Sequence, residues 1–82
     1  MTINKLYEIK NKIKDNVINV KGKRKAQQIT ESILNNLNIN FSKTQHKNFT
    51  HYYIETDKKT GACRSIFIEY RSDRKVKNVT IW

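Results

Sequence analysis

The chain has 82 residues and a formal net charge of +10, because 17 lysine and arginine residues stand against 7 aspartate and glutamate residues. That length suits one domain with a modest core. No segment reaches the roughly 20 apolar residues that span a bilayer, the N-terminus lacks the apolar core of a signal peptide, and the single cysteine, Cys63, excludes an intrachain disulfide. We therefore predict a single cytoplasmic domain, residues 1–82, that does not bind membranes.

Two amphipathic helices are predicted in the first half of the chain. The first starts at Ile3, with Thr2 available as its N-cap. Its apolar stripe is Leu6, Ile9, Ile13, Val17 and Val20. The second covers residues 24–37, and its apolar face is Ala26, Ile29, Ile33, Leu34 and Leu37. Its other face is either a solvated surface or a reader of adenine edges. That face consists of Gln27, Gln28, Glu31, Asn35 and Asn36.

The second half of the chain predicts an antiparallel meander of three strands. Residues 38–47 show no period and are predicted to form a loop that Ile39 and Phe41 anchor to the core. The strands are predicted at residues 48–56, 62–71 and 76–82, with turns at residues 57–61 and 72–75. The predicted fold class is α+β, with two N-terminal helices packed on one face of this three-stranded sheet.

Alternation along the strands assigns each side chain to one face of the sheet. The predicted cross-strand pairs are Arg71–Val76, Ile68–Val79, Ile66–Ile81 and Tyr52–Ile66. The helices should cover the face formed by Tyr52, Ile54, Ile66, Ile68, Tyr70, Val79 and Ile81. The opposite face should hold Phe49, His51, Tyr53, Cys63, Phe67, Arg71, Val76 and Trp82, mixed with Ser65, Glu69, Asn78 and Thr80.

The aromatic side chains of that second face have three interpretations. Single-stranded bases stack on such surfaces, and here Phe49, His51, Tyr53, Phe67 and Trp82 would form the stacking face. The same surface suits a homodimer or another protein partner, and a dimer through the edge of the last predicted strand is a further option. In the third interpretation, the predicted loop at residues 38–47 covers the aromatic side chains.

The densest basic run lies where the second helix begins. Cations at a helix N-terminus oppose the macrodipole, so their presence indicates a function other than stability. A bound phosphate would meet free backbone N–H groups, the helix dipole and basic side chains together. We therefore predict a noncatalytic protein that binds DNA or RNA through phosphate contacts. The predicted contact residues are Lys21, Lys23, Arg24, Lys25, Lys10, Lys14, Arg71, Arg74, Lys75 and Lys77.

Two other functions are alternatives. The first is a small inhibitor or adaptor, encoded by a phage or mobile element, that binds a nucleic-acid-processing machine. The second is a small ribonuclease that uses general acid–base chemistry. Its candidate groups are His46, Lys47, His51, Glu55, Arg64 and Glu69. One cysteine and two histidines without metal-ligand spacing predict no metal site, and the run Gly22-Lys23 lacks the upstream glycine of a phosphate loop, so no cofactor is predicted.

Overall fold

Two helices precede a four-stranded antiparallel sheet in this chain. The computed structural model describes the backbone of residues 2–57 and 59–82, with their side chains except those of Thr56, Asp57 and Ala62. In chain order the elements are α1 (Ile3–Val17), α2 (Lys23–Asn36), β1 (Phe41–Gln45), β2 (Phe49–Asp57), β3 (Ala62–Tyr70) and β4 (Val76–Ile81). The strands pair in that same order. The α+β class is confirmed, but the predicted count of three strands is wrong.

The additional strand, β1, lies in the segment predicted to be a loop. It runs antiparallel to β2, with Phe41 opposite Ile54 and Gln45 opposite Thr50. Residues 42–45 are all polar, so the alternation of apolar and polar side chains that marks a strand is missing there. Phe41 does pack against the core, as predicted. The predicted loop is therefore wrong over residues 41–45, although His46 of the same segment does stack on one of the aromatic side chains, Phe49.

Helix α1 follows its predicted pattern closely. The Thr2 hydroxyl oxygen accepts a hydrogen bond from the Lys5 backbone N–H at 3.1 Å, so Thr2 is the N-cap. The buried stripe is Leu6, Ile9, Ile13 and Val17. Val20 lies beyond the helix, which ends before Asn19 adopts a positive φ of 63°. Neither α1 nor any other helix in the described residues is long and apolar enough to cross a membrane.

Helix α2 buries a wider face than the sequence predicts. It starts after Gly22, whose φ of 103° suits glycine. Ala26 and Leu34 are buried, as predicted. The predicted polar face is wrong at Gln27, which is only 7% exposed, because α2 packs against the sheet as well as against α1. Thr30 is also buried and donates its hydroxyl to the Ala26 carbonyl oxygen at 2.8 Å.

The predicted register is confirmed over most of the sheet. The observed pairs include Tyr52–Ile66, Ile66–Ile81 and Ile68–Val79. Near the second turn the register shifts between Glu69 and Tyr70, so Tyr70 rather than Arg71 faces Val76. This irregularity turns Val76 into the core, where it is fully buried, and its predicted place on the uncovered face is wrong. In the first turn Gly61 has a positive φ of 69°, while Lys58 lies outside the described residues.

Candidate nucleic-acid interface

Two basic runs that are distant in sequence meet at one end of the molecule. Lys21, in the linker between the helices, pairs with Lys75, after the β3–β4 turn, in an antiparallel bridge. The Gly22 N–H donates to the Arg74 carbonyl oxygen at 3.0 Å, and the Val76 N–H donates to the Val20 carbonyl oxygen at 3.0 Å. We call this region the basic end. Its exposed cations are Lys21, Arg24, Lys25, Arg71, Arg74 and Lys75.

The positive charges of the basic end are not neutralised by described acidic side chains. Lys21 and Lys75 face each other across the bridge, and like charges in that position destabilise the pairing. Within residues 2–57 and 59–82, no ion pair includes a cation of the basic end. Asp73 lies in the neighbouring turn, where its carboxylate accepts the Lys75 backbone N–H at 3.1 Å. The lysine and arginine head groups there remain available to anions.

The first turn of α2 adds unsatisfied backbone donors to these charges. The first intrahelical hydrogen bond runs from the Ala26 N–H to the Gly22 carbonyl oxygen at 3.1 Å. The N–H groups of Lys23, Arg24 and Lys25 therefore have no intrahelical acceptor. Gly22 provides no side-chain cap, and the first turn contains no acidic residue. The positive end of the helix dipole thus coincides with basic side chains.

Arg74 has a backbone conformation that is unfavourable for its residue type. Its φ is 69°, in the left-handed region that costs an L-residue roughly 1–2 kcal/mol. The turn around it is held by hydrogen bonds from the Arg71 N–H to the Lys75 carbonyl oxygen at 2.8 Å and from the Arg74 N–H to the Arg71 carbonyl oxygen at 3.0 Å. Glycine would fit this position without that cost. Strain of this kind is concentrated at functional sites.

Lys23 differs from the other predicted phosphate contacts because its ammonium group already has partners. Its Nζ donates to the carbonyl oxygen of His46 at 3.1 Å and also to that of Lys47. It lies 5.2 Å from the centre of the Tyr70 ring, within cation–π range. Lys23 therefore links the start of α2 to the turn between β1 and β2, and we assign it a positioning role.

Three further predicted phosphate contacts are not part of the basic end: Lys14, Lys77 and Lys10. Lys14 is in the last turn of α1, which leads into the linker, and Lys77 is exposed near the start of β4. Lys10 lies on α1 with its ammonium group 5.6 Å from the centre of the Tyr7 ring. The contacts of the described residues do not join Lys10 to the basic end.

A polar groove separates α2 from β1 and contains a network that the sequence analysis missed. The groove has a volume of about 910 Å³. Lys43 Nζ donates to Gln27 Oε1 at 3.2 Å and to Glu31 Oε2 at 3.0 Å. Gln27 Nε2 donates to the Thr50 hydroxyl at 3.2 Å, and Tyr52 donates its hydroxyl to Glu31 Oε2 at 3.0 Å. Recognising β1 as a strand would have placed Lys43 beside α2.

This network holds α2 against the sheet. Burial, followed by the Glu31 carboxylate, raises the pKa of the Tyr52 phenol far above its ordinary value, so the phenol remains protonated and donates. Thr50 also shares a hydrogen bond of 2.7 Å with the Tyr70 hydroxyl. Since these polar groups satisfy one another, we assign them a structural role.

The sheet face opposite the helices carries the predicted aromatic cluster. We call it the aromatic face, and its rings are Phe49, His51, Tyr53, Phe67 and Trp82. His51 stacks on Phe67 with ring centres 4.4 Å apart, and Phe49 meets Phe67 edge to face at 5.7 Å. Tyr53 is 44% exposed and Trp82 is 77% exposed. The aromatic face is therefore exposed to solvent at Tyr53 and Trp82, whereas Phe49, His51 and Phe67 are half-buried.

His51 is held in the middle of the aromatic face. Its Nε2 lies 2.7 Å from the Ser65 hydroxyl oxygen, and its ring centre lies 4.0 Å from that of Tyr53. Partial burial, followed by the charge of His46, lowers the pKa of His51 from its ordinary value of 6.5. The neutral ring is therefore favoured near neutral pH, and a neutral ring stacks without adding charge to the face.

Acid should weaken the fold through His51. Because the folded state lowers the pKa of His51, the unfolded chain binds the proton more readily. Above pH 6.5 the His51 ring is neutral in both states, and the folded state has its full stability. That stability decreases as the pH falls from 6.5 through the lowered pKa of the folded state. We expect the melting temperature to fall less between about pH 7.5 and about pH 5 in His51→Gln than in the wild type. Equal falls in thermal unfolding scans would contradict this role for His51.

The candidate ribonuclease groups are not joined by the described hydrogen bonds and ion pairs. His46 stacks on Phe49 with ring centres 4.3 Å apart, and Glu55 accepts a hydrogen bond from Asn40 Nδ2 at 3.2 Å. Arg64 is paired with Ile54, whose side chain belongs to the core, as the predicted register implies. RNA cleavage remains an untested alternative.

No protein-family model, curated protein or solved structure matches this chain.

Proposed function

We propose that this protein binds nucleic acid and that the basic end contacts the phosphates. The supporting observation is the bridge that places Lys21 opposite Lys75 and joins two basic runs without a described acidic partner. In the free protein, the two facing lysines repel each other, and the cations at the start of α2 oppose the helix dipole. Phosphate groups would convert them into favourable contacts and would release counterions from the nucleic acid.

The start of α2 would hold one phosphate. The free N–H groups of Arg24 and Lys25 point out of the first turn and add the positive end of the helix dipole. The Arg24 guanidinium can bind a phosphate through two parallel hydrogen bonds. Lys21 and Lys75 would each contact a further phosphate of the nucleic acid. Such contacts fix the position of the ligand and do not read its sequence.

The double variant Lys21→Gln, Lys75→Gln should separate binding from stability. At about 0.1 M salt, loss of two phosphate contacts is expected to weaken binding roughly 25-fold, since each contact contributes about fivefold there. Removing the facing charges is expected to stabilise the free protein by about 0.2–1 kcal/mol. Fluorescence anisotropy with a labelled oligonucleotide measures the first effect, and thermal unfolding measures the second.

A matched control removes the same charge from α1. Lys5 and Lys12 are exposed on α1 and take no part in the Lys21–Lys75 bridge, and Lys5 forms an exposed ion pair with Glu8. The variant Lys5→Gln, Lys12→Gln should retain most of the affinity. Equal losses in the two variants would mean that net charge alone attracts the ligand, and the proposed interface would be wrong. Weak binding of wild type to every nucleic acid at low salt would favour the inhibitor or adaptor alternative.

A further inference from the structure

We infer that the ligand is single-stranded and that one of its bases stacks in a shallow pocket on the aromatic face. This inference rests on the proposed function, because the phosphates must already be held at the basic end. It adds the class of nucleic acid and a site for a base.

The aromatic face and the basic end share the turn between β1 and β2. His46, in that turn, stacks on Phe49 at 4.3 Å, while its carbonyl oxygen accepts the Lys23 ammonium group. The Tyr70 N–H donates to the Asn48 carbonyl oxygen at 2.9 Å, which ties the same turn to the end of β3. A nucleic-acid strand that runs from the basic end across the aromatic face would therefore meet Phe49 first.

The pocket lies directly beyond Phe49. It has a volume of about 220 Å³ and is lined by Phe49, Phe67, Glu69, Thr80 and Trp82. Two hydrogen bonds join the backbones of Trp82 and Ser65. The Trp82 N–H donates to the Ser65 carbonyl oxygen at 2.9 Å, and the Ser65 N–H donates to the Trp82 carbonyl oxygen at 3.3 Å. The indole lines the pocket and is 77% exposed, so it offers a surface on which a base can stack.

The charges on the aromatic face favour bases over phosphates. Glu55 and Glu69 both lie on this face, in register with Cys63 and Phe49 respectively. Their carboxylates repel a phosphate backbone, which keeps the backbone at the basic end. In a duplex the flat surfaces of the bases are already stacked on one another, so only a single strand offers bases to Trp82.

Glu69 gives the pocket a base preference. Within residues 2–57 and 59–82, no group donates a hydrogen bond to its carboxylate. A carboxylate accepts from the exocyclic amino group of cytosine, whereas thymine presents a carbonyl oxygen at the equivalent position. The pocket should therefore favour cytosine over thymine by about two- to tenfold.

Trp82 is the one tryptophan in the chain, so its emission reports directly on the pocket. Single-stranded oligodeoxycytidine of about 12 nucleotides should quench this emission. A duplex of equal length should leave it nearly unchanged. The substitution Glu69→Gln should reduce the preference for oligodeoxycytidine over oligodeoxythymidine.

Alanine variants test the stacking by anisotropy with a labelled oligonucleotide. Trp82→Ala is expected to weaken single-strand binding about 5- to 150-fold, as loss of a stacked base implies. Tyr7→Ala is the matched control. Tyr7 is also an aromatic residue and is 48% exposed, but it lies on α1, on the other side of the sheet. That variant should bind like wild type. Unchanged thermal unfolding would show that both variants fold.

The possible failures are distinguishable. Normal binding by Trp82→Ala, with no quenching in the wild type, would overturn the stacking inference and leave the phosphate contacts in place. Absence of binding to any oligonucleotide would overturn both proposals. Sedimentation that shows a dimer dissociated by Trp82→Ala would identify the aromatic face as an interface between two copies of the chain and would also overturn the inference.

Discussion

Replacing Tyr52 with alanine is expected to lower the free energy of unfolding by about 3–5 kcal/mol. The Tyr52 side chain is fully buried in the sheet, and its ring meets Phe41 edge to face at 5.6 Å. Its hydroxyl donates to Glu31, which also accepts from Lys43. A chain of this length has a total stability of roughly 4–12 kcal/mol. The substitution would therefore remove much of the margin that keeps the protein folded.

Two further variants separate the causes of this loss. Tyr52→Phe removes only the hydroxyl bonded to a carboxylate and is expected to cost about 1.5–3 kcal/mol. Tyr53→Ala affects the next residue on the same strand, which points to the opposite face and is partly exposed, so its cost should be about 1 kcal/mol or less. Denaturant unfolding followed by circular dichroism measures all three variants. Equal costs for Tyr52→Ala and Tyr53→Ala would contradict the assignment of the two faces.

Raising the monovalent salt concentration from about 50 to about 200 mM is expected to weaken single-strand binding about 250-fold. If each of the six basic-end cations contacts one phosphate, log K should change with log salt with a slope of about −4. Lys23 is not counted, because its ammonium group is bound to the two turn carbonyls. The large effect follows from the number of basic-end charges that have no acidic partner among the described side chains.

Anisotropy titrations at several salt concentrations give this slope. The double variant Lys21→Gln, Lys75→Gln should make the slope less steep by about 1.4, since two contacts are lost. The α1 control variant should retain the wild-type slope. A wild-type slope near −1 would contradict the proposed interface, because a single contact would then account for binding.

The helices and most of the register were predictable because they follow from periodic side-chain patterns. The stripe from Leu6 to Val17 repeats at helical intervals, and alternation along β3 places Ile66 and Ile68 on the buried face. Strand β1 was not predictable in this way, because residues 42–45 are all polar and show no alternation. The strand pairs with β2 and also makes polar contacts to α2. Lys43 takes part in those contacts through Gln27 and Glu31, which no local pattern reveals.

The candidate site was predictable in its residue types and less so in its arrangement. Composition and position identify the basic runs, but their meeting depends on the backbone bonds between the linker and the second turn. The irregularity that buries Val76 shifts the register by a backbone detail. The partners of Lys23 are main-chain carbonyls in a turn distant in sequence, and carbonyl positions follow from the fold rather than from residue identity.

The conformation of Arg74 has a consequence for protein engineering. Methods that select for stability alone would replace Arg74 with glycine and introduce acidic residues into the first turn of α2. They would also replace one of the facing lysines, Lys21 or Lys75, with an uncharged residue. Each change is favourable for folding and removes a positive charge from the basic end or neutralises one. A thermostabilised version of this protein should therefore keep these positions fixed, because the residues that cost folding stability there are the proposed phosphate contacts.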